Sequence, residues 1–128
     1  MLHTNAAAQA LNAADSASLA RAAAATVVSE ILSDTRGIPV ELTAPVSRFD
    51  SLVAREIAAS GRLTRPAAST QPMEVGTRGM HMVANQPAVM IEVTRCEGSG
   101  ARRSCWSSLE MYQYARDGGR WKPVDPGS

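Results

Sequence analysis

The chain has 128 residues, 45% of them apolar and 4% aromatic, with a formal net charge of +1. That length supports one domain with a modest core, built mostly from Val, Leu, Ile, Met and Ala. The near-zero charge excludes a strong overall field steering the chain toward nucleic acid. No apolar run is long enough to span a bilayer.

Residues 1–15 are mostly small and polar, apart from Leu2 and Leu11, and read as a flexible or helical N-terminal extension. A single α+β domain is expected over 16–128. From Ser16, the residues Leu19, Ala23, Val27 and Ile31 recur at helical spacing, with Val28 and Leu32 beside them. Asp15 or Ser16 is the expected cap, and Gly37 and Pro39 close the segment. Ile38, Val40 and Leu42 line one face of a short strand that ends at Pro45. Ser47 and Asp50 have the spacing of a capping box, and Phe49, Leu52, Val53 and Ile57 form the apolar stripe of a second helix. Gly61 is its natural stop.

Leu63 is expected to start a strand, and Pro66 to Gly79 reads as a loop that hides a short strand near Met73–Val75. Met80, Met82 and Ala84 alternate with His81, Val83 and Asn85, and Asn85–Gln86–Pro87 reads as a turn. Val89, Ile91 and Val93 form one face of the next strand. Leu109, Met111 and Gln113 alternate with Glu110, Tyr112 and Tyr114 in another. Asp117–Gly118–Gly119 is a turn, followed by a short edge strand from Trp121 to Val124 that contains Pro123. The expected fold is α+β, with two helices packed on one face of a mostly antiparallel sheet of three to five strands.

Cys96 and Cys105 flank eight small or polar residues between two alternating segments. This is the pattern of a β-hairpin pinned by a disulfide, and such a staple implies an oxidising compartment. The alternative is a pair of free thiols in the cytosol. Direct pairing of Cys96 with Cys105 sets Val93 opposite Ser108, Ile91 opposite Glu110 and Val89 opposite Tyr112. It also sets Met90 opposite Met111 and Glu92 opposite Leu109. The first strand is cleanly apolar on its valine face and the second is mixed on both, so a one-residue slip is the competing register.

Candidate contact residues follow from this hairpin. Arg95, Arg102 and Arg103 lie at or near its tip, where they meet an acidic partner, a phosphate backbone or only solvent. Trp106, Tyr112, Tyr114 and Trp121 form an interaction patch if their face is open, and ordinary core if it meets the helices. No catalytic residue is assigned. There is no nucleophile elbow or phosphate loop, and Asp50 and Glu56 lie too far apart on a helix to act together. His81 is the one credible general base, and His3 with His81 and the cysteines makes a poor metal set. No cofactor and no metal are expected.

The segment Ile38–Gly61 combines a short strand, a Pro-containing turn, the Phe49–Asp50 pair, the Leu52–Val53 helix and a glycine. In this it resembles the periplasmic domain of the TrbH lipoproteins of conjugative type IV secretion systems. The likeness covers about half the chain, transfers no functional residue and does not include the cysteine hairpin. It implies an assembly component rather than a catalyst. The expected role is therefore a non-catalytic envelope accessory domain, in the periplasm or at the inner face of the outer membrane. Its partners would be other envelope or secretion-system proteins, and any membrane association would run through a removed lipid anchor. No signal peptide is visible, so the sequence either begins after a removed segment or belongs to a cytoplasmic protein. The rival function is a small binding domain that uses Arg95, Arg102 and Arg103 for nucleic acid or an acidic partner.

Overall fold

The computed structural model describes residues 11–34, 39–63, 73–98 and 100–124. Two helices and a five-stranded, mostly antiparallel sheet with strand order β1-β2-β3-β4-β5 make an α+β fold.

Helix α1 spans Ala13–Thr26. Its cap is Asn12 rather than Asp15 or Ser16: the Asn12 side chain accepts from the Asp15 N–H at 2.8 Å. Asn caps as well as Asp does, and the earlier start lets Ala13 and Ala14 join the helix. The alanines then do packing work. Ala20, Ala23 and Ala24 are buried beside Leu19, and their small side chains let neighbouring elements approach closely. At Thr26 the winding changes, with Val27–Ile31 forming a π-helical turn and Leu32–Asp34 a 3₁₀ turn. Thr26, Val27 and Val28 are β-branched in succession, which weakens the α-helical preference here. The expected stripe survives the change, since Leu19, Ala23, Val27, Ile31 and Leu32 are all buried.

Strand β1, Val40–Leu42, runs parallel to β2, with Val40 opposite Met73 and Leu42 opposite Val75. Ile38 lies outside the described residues. Parallel neighbours need a crossover, and helix α2, Arg48–Ala59, lies within it. Val53 and Ile57 of its stripe are buried, and Phe49 and Leu52 are half-buried. Gly61 follows with φ of +72°, the left-handed geometry that glycine tolerates. Only half of the expected capping box forms. Ser47 accepts from the Asp50 N–H at 3.1 Å. The Asp50 carboxylate turns instead to the sheet, where Oδ1 accepts from Thr77 Oγ1 at 2.7 Å and from the Gly79 N–H at 3.1 Å. Asp is too short to reach back comfortably to its own cap, and two sheet donors are in range.

Strand β2 is continuous over Met73–Val83, so the short strand expected at Met73–Val75 forms and the loop expected over Gly76–Gly79 is strand instead. Leu63 belongs to no strand, and 64–72 lie outside the described residues. The glycines that suggested punctuation are part of the strand. At Gly76, a Cβ would lie 2.7 Å from Thr43 Cβ, so glycine admits the close passage of the chain leaving β1. At Gly79, φ is +97° and the β2–β3 register shifts between Thr77 and Met80, a bulge whose N–H the Asp50 carboxylate holds.

The remaining strands form a meander. Ala84 and Asn85, both at positive φ, connect β2 to β3, Gln86–Glu97, one residue earlier than expected. Strand β4 covers Ser104–Asp117, and Gly118 and Gly119 turn it into β5, Arg120–Val124. Pro123 sits on this edge strand, opposite Tyr114, as expected. The β3–β4 register is the one that the cysteines imply. Cys96 faces Cys105, and the Val93–Ser108, Ile91–Glu110, Val89–Tyr112, Met90–Met111 and Glu92–Leu109 pairs all form without a slip.

Replacing Asp50 by Ala would leave the buried Thr77 hydroxyl and the Gly79 N–H without their acceptor. The expected loss is about 2–3 kcal/mol of unfolding free energy, typical for hydrogen bonds to a charged group. Asp50→Asn keeps one acceptor oxygen and should lose less. Urea denaturation of both variants checks the order.

A stapled arm as the candidate interaction site

The hairpin β3–β4 outruns its neighbours. Strand β2 pairs with β3 no further than Thr94, and β5 pairs with β4 only from Gln113 onward. Beyond Thr94 of β3 and before Ser107 of β4 the hairpin projects as a two-stranded arm, and from Ser107 to Tyr112 strand β4, backed by β3 and β2, continues it as the open edge of the sheet. All of Ser104–Met111 is exposed. Two links hold the arm closed: the Cys96–Cys105 disulfide, with a Cα–Cα distance of 4.1 Å, and the Thr94–Ser107 hydroxyl pair at 2.8 Å. The tip turns through Gly100–Arg102. At Gly98, φ is +80° and a Cβ would lie 2.4 Å from the Arg102 carbonyl oxygen, so the tip needs glycine there.

Alternation along β4 assigns its side chains to two faces. Trp106, Ser108, Glu110, Tyr112 and Tyr114 share one. Cys105, Ser107, Leu109 and Met111 share the other. The expected aromatic patch is divided by depth along this strand. Tyr114 is fully buried, and its hydroxyl donates to Thr26 Oγ1 at 2.7 Å. Tyr112 is half-buried and donates to Glu110 Oε2 at 2.8 Å. Trp121 is half-buried and donates through Nε1 to Ser18 Oγ at 2.9 Å, with the Arg116 guanidinium 4.3 Å above its ring. Arg116 also pairs with Asp15. Tyr114 and Trp121 thus tie the sheet to α1, and only Trp106, 48% exposed, remains of that set on the open arm.

Two surface residues escaped the sequence reading. Leu109 and Met111 are 55% and 47% exposed on the face opposite Trp106. Their signal was the mixed character of β4: apolar residues on both faces mean that one apolar set stays outside the core. The arginines fall where expected. Arg95 is exposed opposite Trp106, and Arg102 and Arg103 are exposed at the tip, with Arg103 Nη2 3.5 Å from Cys96 Sγ.

Among the described residues, the titratable groups that the sequence singles out lie apart. Asp50 holds β2, Glu56 pairs with Arg21 of α1 at 3.2 Å, and His81 is exposed opposite Ala88. Among the described residues no three of His, Cys, Asp and Glu cluster as metal ligands, and no helix is long and apolar enough to cross a membrane. A groove of about 330 Å³ lies between Leu11, Met82, Gln86 and Trp121, but its charged pair, Asp15 and Arg116, is closed on itself. No protein-family model, curated protein or solved structure matches the chain.

The staple closes a short loop. Reducing it, or changing both cysteines to Ser, should lower stability by about 2–3 kcal/mol. Denaturant melts with and without reductant measure the loss, and hydrogen exchange should quicken most at 94–107. The two tyrosines make a second measurement clean. Desolvation raises the pKa of both, and for Tyr112 the bond to Glu110 and the carboxylate's charge add to it. Below the ordinary tyrosine pKa, near 10, both states hold the proton and folding is unaffected. Above it the unfolded chain releases protons that the native state keeps, so stability falls as pH rises. Tyrosinate absorbance at 295 nm should appear at higher pH in the native protein than in the denatured one.

Proposed function

We propose that the protein is a non-catalytic envelope accessory domain of a secretion or conjugation apparatus, acting by protein–protein contact through the stapled arm. The observation that carries this reading is the arm itself. Its β4 edge is unpaired over Ser104–Tyr112 among the described strands, and exposed Trp106, Leu109 and Met111 flank that edge on its two faces. A free edge with apolar side chains beside it supplies main-chain hydrogen bonds and side-chain pockets together, which is how β-strand addition works. The disulfide is compatible with an oxidising compartment, and the TrbH-like segment Ile38–Gly61 favours an assembly role.

In this reading both helices cover one face of the sheet. Thr77, Tyr114 and Trp121 bond to Asp50, Thr26 and Ser18 of the two helices, which supports that arrangement. The opposite face and the arm are then left for partners.

A photo-crosslinking residue placed at Trp106 in intact cells tests the proposal. The expected product is an adduct with an envelope protein, reduced when Leu109 and Met111 are both changed to Ser. Adducts confined to cytoplasmic proteins, or no adduct except with another copy of the chain, would overturn the assembly reading.

A further inference from the structure

We infer that the free edge of β4 pairs with a second copy of this chain, antiparallel, about a twofold axis through Ser108. The inference rests on the arm's being a contact surface: the second copy takes the main-chain edge, and an envelope partner then meets the exposed side-chain faces of the paired arms.

The edge is a pairing surface left open. In an antiparallel strand every second residue directs its N–H and C=O to the outer side, and over Ser104–Tyr112 no described strand meets them. Soluble proteins usually blunt such edges with Lys, Pro or a bulge. This one has none of these: Lys122 and Pro123 lie on β5, and the β3–β4 register is uninterrupted. Glu110 is the only charged residue in Ser104–Tyr112.

The length of the edge then selects the register. Pairing cannot extend past Ser104, where the arm turns, or past Tyr112, because β5 occupies the edge from Gln113. A twofold axis perpendicular to the sheet keeps equivalent faces on the same side, so residues of the same parity must stand opposite one another. The pairing that uses the whole open edge sets Ser104 opposite Tyr112 of the second copy. Its midpoint is Ser108, which faces itself.

Charge and apolar surface agree with this register. Glu110 of one copy falls opposite Trp106 of the other, and Arg95, the cross-strand neighbour of Trp106, lies one strand further on the same face. Each end of the interface therefore carries a carboxylate and a guanidinium with an indole between them, which suits stacking of Arg95 on Trp106 and attraction of the opposite charges across the seam. A shift of the axis to Glu110 would instead set two carboxylates face to face, which is destabilising. On the other face Leu109 meets Ser107 of the second copy and lies diagonal to its Leu109. The exposed Leu109 of both copies thus meet beside the axis, and Met111 of each falls opposite Cys105 of the other towards the ends of the interface.

Cysteine crosslinking and hydrodynamics of the purified, oxidised protein test the pairing. Directly opposed strand residues have Cβ atoms about 4.5–5.5 Å apart, within reach of a bridge between copies. Ser108→Cys should therefore form a covalent dimer under mild oxidation. Val46→Cys, on a more exposed residue remote from the arm, should not. Sedimentation should show a reversible dimer. Leu109→Lys, which sets two ammonium groups diagonally across the axis, should weaken it by about tenfold or more, a cost of ~1.4 kcal/mol. Circular dichroism confirms that the variant folds. A monomer at all concentrations up to about millimolar, weaker than specific interfaces hold, would overturn the inference. So would crosslinking at Ser108→Cys no faster than at Val46→Cys, or a dimer indifferent to Leu109→Lys. A monomer that still gives envelope adducts in cells would remove the dimer and leave the assembly reading intact.

Discussion

A mismatch of lengths governs this molecule. Strand β4 has 14 residues and β3 has 12, so at 3.3–3.4 Å per residue they extend for roughly 40–48 Å before twist is allowed for. Helix α1 with the π and 3₁₀ turns that continue it covers Ala13–Asp34 and α2 has 12 residues, so at about 1.5 Å per residue they reach ~33 and ~18 Å. The helices can cover only part of the long hairpin, whatever their orientation. One part of β4 becomes core, with Tyr114 buried at its heart, and the other becomes the arm. The same strand therefore serves both the fold and the surface.

A long hairpin with one end unsupported has to be held at both ends. At the core end, buried polar contacts do this. Asp50 joins α2 to the bulge in β2, and Thr26 joins α1 to Tyr114, while Ser18 anchors Trp121 on the edge strand. Each is a specific donor meeting a specific acceptor, so these contacts define the helix positions more sharply than apolar packing among Val, Leu and Ala could. At the far end there is no core, and the disulfide takes its place. A two-stranded hairpin is marginal in water without support, so a covalent bridge near the tip keeps the arm's edge straight and its register unique. The staple thus orders the exposed edge as well as stabilising the fold, and an ordered edge has less entropy to lose if it pairs.

Much of this was legible beforehand where local chemistry decides it. The β3–β4 register follows from two cysteines and alternation, and Gly118–Gly119 announces the last turn by its need for positive φ. Both helical stripes are visible as spacing. Other features depend on neighbours distant in sequence. Asp50 has the spacing of a capping residue, and only the nearness of Thr77 and Gly79 turns its carboxylate toward the sheet. Gly76 and Gly79 look like loop residues until Thr43 and the bulge supply the reason for glycine inside a strand. Leu109 and Met111 carry no mark that separates an inner apolar residue from an outer one.

The sequence by itself pointed to the two helices, the last turn and a cysteine-pinned hairpin, with a one-residue slip and free thiols as the rivals, because period, turn chemistry and cysteine spacing act over a few residues. Only the tertiary structure decided that Tyr114 is core while Trp106 is surface. The two share a strand face, and alternation assigns faces but not depth. Depth depends on where the helices stop, which is set by long-range packing and by the ties through Thr26, Asp50 and Ser18.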